Sequence, residues 1–414
     1  MKKKYNWGTI VPLIGGQTMA GKVVTGDDPD FLLTYSPFAG KGGNEDNVRA
    51  YFPNVPYEIL DQGGNMDAGK DADFISALCP CAGLSTLGTG SPEAREAANS
   101  WMYRSAEHVL GHLKPKVFWG ENAPALFSES SSKAQAVRQK LEAIAAKHGY
   151  TMTYYFTSTN LHGVPQRRHR TFYFFWREQG KVPVMRYWKK PTLSWGEYMK
   201  LVPADATQHE DDKPRAIKNL TATRFAQYAK AMHGDAWPDA IRDRMRVLKK
   251  NMMTVQDYIL NDPEDPTRPQ KMHDWFKSNN DDRSVAYVER ILKKLESGKG
   301  VWDDSPAIFL PEGNFNALIG RTTDSAHPYE HRSLTIRECL HMMALPNDFN
   351  LVTKTINHIC QNVPLCTASD MQRDVCAYID GELPMVDANV VFQNNFKEVL
   401  EESRTQADSK LLVF

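Results

Sequence analysis

The sequence predicts an α/β fold with a second domain set into it, and three observations carry that prediction. From the start to about residue 180, short apolar or aromatic runs alternate with stretches of helical periodicity, as when strands and helices take turns in a parallel sheet. After Trp176 the rhythm dissolves into a charged, proline-punctuated stretch that reaches about residue 330. From His331 the helical pattern returns.

Taken in order, DFISAL (73–78), KVFWG (116–120), TMTYYF (151–156) and TFYFFW (171–176) are the predicted strands. Between the second and third, SSSKAQAVRQKLEAIAAKHG (130–149) sets Ala134, Val137, Leu141, Ile144 and Ala145 at helical spacing, with serines to cap its start and Gly149 to stop it. In the middle region, residues 213–250 carry ten Lys/Arg against three Asp, interleaved with aromatics, which fits either a solvated helix face or a polyanion-binding surface. RSLTIRECLHMMALPNDF (332–349) predicts a helix capped at Thr335 and stopped by Pro346, and NVPLCTASDMQRDVCAYI (362–379) a loop feeding a helix.

The 50 basic and 50 acidic side chains exclude a basic tail, though not a basic groove. MKKKYNWGTIVPLIGG has a basic start without an apolar core, and no run approaches the roughly 20 residues of a membrane span. A soluble cytoplasmic protein is expected. Six cysteines in 414 residues do not form a disulfide framework.

ALCPCAGLS (77–85) holds two of those cysteines on either side of one proline. Cys-Pro-Cys is too tight for a zinc pair and has no second ligand pair, so no metal is expected. Pro80 breaks the strand, which leaves Cys79 inside the sheet and Cys81 on the loop past the strand's carboxyl end, where open α/β sheets bind ligands. Three further segments accompany it. WGENAPALF (119–127) places Glu121 and Asn122 at another strand end, and HGVPQRRHRTFYFFW (162–176) sets Arg168 and Arg170 two apart at a strand mouth, where both can face one way. The third is the capped helix at 332–349.

Together and in this order, PCAGLS, ENAPAL, VPQRRHR and RSLTIRECLHMMALPNDF closely resemble the motifs of the DNA (cytosine-5) methyltransferases, over residues 9–180 and 331–380. The resemblance implies a Rossmann-like S-adenosylmethionine-dependent methyltransferase sheet with a second, smaller target-recognition domain. The catalytic domain would span 1–180, completed by 350–414, and the target-recognition domain 181–349. It further implies methyl transfer to carbon 5 of cytosine in double-stranded DNA by a monomer, with the base flipped out of the stack. Cys81 would be the nucleophile that adds to carbon 6, Glu121 the group that relieves charge at N3 and holds the exocyclic amine, and Arg170 the ligand of O2. Arg168 would pair with a carboxylate or with the base. TLGTGSP (86–92) suits a loop that closes over the site. Ala82 stands where the family usually carries glutamine.

For the donor, the family's Asp-Leu-Phe-Ala-Gly-x-Gly-Gly is similar to IVPLIGGQTMAG (10–21), where Ile14, Gly15 and Gly16 keep the turn and a proline stands near the aspartate position. Ser36 takes the place of the acidic ribose contact, Asp61 matches the adenine-amine contact, and Pro80 and Met102 fall where the family lines the adenine pocket. Near the end, ICQNVPLCTA resembles Ile-Gly-Asn-Ala-Val-Pro-Pro, with Asn362 and Val363 as donor contacts. Two alternatives stay open beside the DNA enzyme: a tRNA cytosine-5 methyltransferase of the same fold, and a catalytically silent DNA-binding relative. A restriction-modification partner, a phage or prophage genome's self-protection and an orphan regulator are all compatible with the sequence.

Overall fold

The structure, a computed structural model, describes residues 3–80, 83–85, 91–203, 220–301, 305–318, 325–353 and 356–408. Three short strands not singled out by periodicity open it: β1 (Trp7–Ile10), β2 (Phe31–Thr34) and β3 (Tyr57–Ile59). The four predicted strands follow as β4 (Phe74–Ala77), β5 (Val117–Asn122), β6 (Thr151–Ser158) and, after a two-residue β7 (Gln166–Arg167), β8 (His169–Trp176). Helices α1 (Gly16–Thr25), α2 (Glu45–Tyr51), α3 (Pro92–His108) and α4 (Ser132–Lys147) connect them. Ser131 caps α4 by accepting from the Ala134 amide, and Gly149 ends the turn with φ +79°.

One seven-stranded sheet runs β3-β2-β1-β4-β5-β8-β6. Its strands WGTI, FLLT and FISA are buried along their whole length, which is why they read as continuous apolar runs. The order reverses between β1 and β4, and at such a switch point the crevice past the carboxyl ends is open to a ligand. β8 departs from the expected parallel arrangement: it pairs antiparallel with both β5 and β6. The link 159–168 holds a single 3-10 turn at Thr159–Leu161 and no α-helix to cross the sheet, so the chain turns back. The start of β8 therefore lies at the same edge as the ends of β1, β4 and β5.

The capped helix is present over Ile336–Met342, with a capping box between Thr335 and Glu338. The helix Leu365–Ile379 packs against α1, and at its far end Asp380 accepts from the Lys4 ammonium and the Tyr5 hydroxyl, both at 2.7 Å. The last quarter of the chain thus closes over the first strand.

Trp195, Met199 and apolar residues from Leu334 to Leu351 pack into the core around the sheet. A second apolar core gathers residues between Leu220 and Ala326. There part of the basic stretch is consumed: Phe225, Tyr228 and Trp237 are core residues, and Arg244 forks onto Asp262 with a further contact to Glu264. Arg242 donates to Asp239 and the His327 carbonyl, and Arg246 to Glu312. An amphipathic helix buries one face, and here that face takes Arg242 and Arg244 with it, while Arg246, Lys249 and Lys250 stay exposed and Lys213, Arg215 and Lys218 lie outside the described residues.

Candidate active site

The donor loop follows β1. Val11 and Leu13 hold left-handed φ of +52° and +49°, and Gly15 reaches +97° as the residue that starts α1. For a β-branched residue such as Val11 this is a costly conformation, kept only where the surroundings impose it. Here the Val11 amide donates to the Leu33 carbonyl and its own carbonyl accepts from Leu78, which pins the turn between β2 and β4. Ile14 is fully buried. The Gly16 amide donates to Asn362 Oδ1 at 3.1 Å, and a Cβ on Gly16 would sit 2.5 Å from that atom and 2.6 Å from the Val363 carbonyl oxygen. Asn362 and Val363 are thus brought onto the glycine turn, and Asn362 Nδ2 is buried there with no partner among the described residues. A cradle closed to any Cβ with a buried donor to spare fits the amino-acid end of S-adenosylmethionine.

At the next strand ends, Ser36 and Asp61 meet. The Ser36 amide and hydroxyl donate to the two Asp61 oxygens at 2.7 and 2.9 Å. Desolvation opposes ionisation, but the Ser36 donors outweigh it and hold the Asp61 carboxyl below its ordinary range. A cavity of about 530 Å³ lies beside them, lined by Tyr35, Leu60, Asp61, Met66, Tyr103 and Arg104. Met102 is buried, and its Sδ accepts from Asn122 Nδ2 at 3.1 Å.

Past β4 the two cysteines part. Cys79 is 2% exposed, donates to the Ser105 hydroxyl at 3.7 Å, and burial pushes its thiol up to about 11. At neutral pH it is a thiol packed in the core. Pro80 is half-buried, while Cys81, Ala82 and residues 86–90 lie outside the described residues.

Glu121 ends β5 and is almost wholly buried; its carboxylate pairs with the Arg170 guanidinium at the start of β8. Antiparallel register sets Glu121 opposite Phe172 and Asn122 opposite Thr171, which puts Arg170 just beyond the end of β5. Burial pushes the Glu121 carboxyl above the usual carboxylate range against the pull of Arg170 and Arg168. Such a group holds a proton more readily than an exposed glutamate.

Arg168 takes backbone carbonyls as partners. Residue 168 falls between β7 and β8, its amide bonded back to the Gln166 carbonyl at 2.9 Å, and this tight turn breaks the alternation. Its guanidinium is 2% exposed and donates to the carbonyls of Leu318 (2.8 Å), Cys360 (2.5 Å) and Asn362 (2.9 Å). Arg168 therefore braces the segment whose Asn362 side chain holds Gly16.

Several contributors gave no signal in the sequence. Trp101 lies 5.2 Å from the Tyr35 ring and 4.9 Å from Phe38, with the Arg104 guanidinium 4.5 Å above it, an aromatic cover over the strand ends. Gly120 makes room for the Tyr173 ring, which a Cβ would meet at 2.3 Å. Glu45 is buried behind the donor loop. Among the described residues no cluster of three or more His, Cys, Asp or Glu is placed to hold a metal.

Comparison with known proteins agrees with this layout. The family model for C-5 cytosine-specific DNA methylase matches residues 49–363. The type II methyltransferase M.BbvI of Brevibacillus brevis is 27% identical over 203 residues, which make up 48% of this chain and 52% of M.BbvI. The chain thus spans about half the length of that curated relative. Among solved structures, the Entamoeba histolytica methyltransferase EhMeth has a TM-score of 0.53 at 10% identity over 91% of this chain and 99% of its own. A candidate DNA modification methyltransferase encoded within an E. coli prophage scores 0.51 at 15% identity over the same shares, and both likenesses show the fold. With motifs, strand order and family match in agreement, the chain belongs to the C-5 cytosine-specific DNA methylase family.

Proposed function

We propose that this protein transfers a methyl group from S-adenosylmethionine to carbon 5 of cytosine in duplex DNA, with Cys81 as nucleophile. The observation that carries the reading is the buried Glu121–Arg170 pair, set at the sheet edge where β4 ends and the chain runs on through Cys79 and Pro80. Carbon 5 of cytosine is a poor nucleophile until a thiolate adds to carbon 6. The motif resemblance assigns that role to Cys81, and its neighbour Cys79 is a core residue whose thiol burial pushes up to about 11. As the Cys81 sulfur bonds to carbon 6, electron density moves to N3, and a protonated Glu121 donates there while Arg170 fixes its carboxyl and faces O2. S-adenosylmethionine supplies an electrophilic methyl on its sulfonium for the activated carbon 5. The carbon 5 proton passes to solvent water and N3 returns its proton to Glu121 as the electrons of the carbon 5–hydrogen bond re-form the ring double bond and expel Cys81 as thiolate, restoring the enzyme.

In this reading the donor rests on Ile14, Gly15, Gly16, Asn362 and Val363 at one end and on Ser36, Asp61, Pro80 and Met102 at the other. Arg168 positions the Asn362 segment. Residues 181–349 supply target recognition, with the body around the second core standing apart from the sheet.

Labelled S-adenosylmethionine offered with duplex DNA or with tRNA tests the proposal. Label on DNA that disappears in Cys81→Ser and falls steeply in Glu121→Gln supports it. Label on tRNA alone, or DNA binding with no label on either, refutes it.

A further inference from the structure

Glu45 is 1% exposed, on the first turn of α2 and outside every motif that carries the family resemblance. Two hydroxyls converge on it. Thr34 Oγ1, from the last residue of β2, donates at 2.9 Å and the Tyr57 hydroxyl from β3 at 2.5 Å, while Val48, one turn further along α2, packs so closely on the donor loop that a Cβ on Gly15 would meet its Cγ2 at 2.5 Å. Leu13 is the residue that holds a left-handed φ of +49° without being glycine. Counting back from Gly15-Gly16, it stands where the family's motif has its first glycine, and Thr9 stands where that motif has its aspartate. Thr9 is occupied with Ser76 and Thr18 at 3.1 Å each and carries no charge to spare.

We propose that Glu45 is a positioning residue for the donor: its buried carboxylate ties the first turn of α2 to β2 and β3, which sets Val48 against Gly15, so that the glycine turn is formed before S-adenosylmethionine arrives. The inference rests on the proposed function above. A loop with two left-handed non-glycine residues relaxes unless something holds it, and each fixed contact removes part of the ordering cost of binding. The ionised form of Glu45 accepts from both hydroxyls, and protonation of the carboxyl weakens that hold. Burial pushes its carboxyl up to about 7, so the grip tightens as pH rises through neutrality. The ionisable groups that face it are Tyr57 from β3, whose hydroxyl burial holds far above neutrality, and Arg49 on its own helix.

The test is S-adenosylhomocysteine binding by calorimetry at pH 6.0 and 8.0, on wild type, Glu45→Gln and Tyr57→Phe, with donor and DNA KM values measured in parallel. Wild type is expected to bind several-fold tighter at pH 8.0. Glu45→Gln is expected to bind at least tenfold more weakly at pH 8.0 with no pH dependence, its donor KM raised while DNA KM and kcat at saturating donor stay within threefold. Tyr57→Phe removes one donor to the carboxylate and moves the midpoint to higher pH. Equal affinity in wild type and Glu45→Gln overturns the inference, as does a parallel loss of DNA affinity. If Glu45→Gln does not fold, a flat wild-type pH profile with no shift in Tyr57→Phe overturns it. Wild type that binds no S-adenosylhomocysteine at either pH overturns the proposed function itself.

Discussion

Replacing Arg168 by alanine separates a brace from a substrate contact. The side chain is buried and its guanidinium donates to three backbone carbonyls drawn from two distant segments, at 318 and at 360–362. Hydrogen bonds from a charged donor contribute about 1.5–3 kcal/mol each, and a buried carbonyl left without a partner costs about 1–3 kcal/mol. Against this, the variant no longer desolvates a cation on folding, a recovery of several kcal/mol. A net loss of about 4 kcal/mol follows from three carbonyls partly rescued by water. For a protein of this size about 2 °C of melting temperature accompanies each kcal/mol, so Arg168→Ala is expected to melt about 8 °C lower. Arg168→Lys keeps the charge but cannot fork to three acceptors, and is expected to lose about half as much. Thermal melts of the ligand-free protein measure both. The donor affinity should fall with them, because Asn362 loses the support that aims it at Gly16. A melting shift below about 2 °C in Arg168→Ala together with abolished methyl transfer would refute the brace and place Arg168 on the base.

Cys79→Ser is expected to retain the covalent adduct with a 5-fluorocytosine duplex and Cys81→Ser to lose it, read on a denaturing gel; the reverse pattern refutes the assignment of the nucleophile. Gly16→Ala forces a Cβ to 2.5 Å from Asn362 Oδ1 and should cost about 1–3 kcal/mol of stability and most of the S-adenosylhomocysteine affinity, measured by melting and calorimetry. Glu45 ties stability to pH. Its folded pKa of about 7 lies above the model-peptide value of 4.5, so its contribution is most favourable below 4.5 and declines as pH rises towards 7. The difference in unfolding free energy between wild type and Glu45→Gln should therefore shift against wild type by up to about 3 kcal/mol across that window and stay level above it. A constant difference between pH 4.5 and 8 would contradict a buried, titrating Glu45.

The parts of the fold legible from sequence are those where one period dominates. The strands β4, β5, β6 and β8 announce themselves by aromatic runs, and α4 by five apolar residues at helical spacing between serines and Gly149. The first three strands are three or four residues long, too short for any period to show, and the first two are buried throughout. The direction of β8 was illegible for a different reason: alternation is the same up or down a sheet, and only the missing crossover helix reveals it. In the site, the sequence places Glu121 and Arg170 each at a strand end, and their pairing comes only from the antiparallel register of β5 and β8. Arg168 escaped because spacing presumes an unbroken strand, and a single-residue turn cancels that presumption. Glu45 escaped because GGNEDN looks like solvated loop, and nothing local says that this carboxylate will be enclosed by β2 and β3. Arg244 looked available for the same reason, its acidic partners lying at 262 and 264.

The glycine turn near the beginning of the chain is finished by Asn362 and by the helix 365–379 that packs on α1. During synthesis, those residues leave the ribosome some 350 positions after the turn they complete. A nascent chain that already carries its sheet and Glu121 still lacks the residue that closes the glycine turn. On the proposed function, a chain cut short before residue 362 is expected to build much of its sheet yet hold no methyl donor.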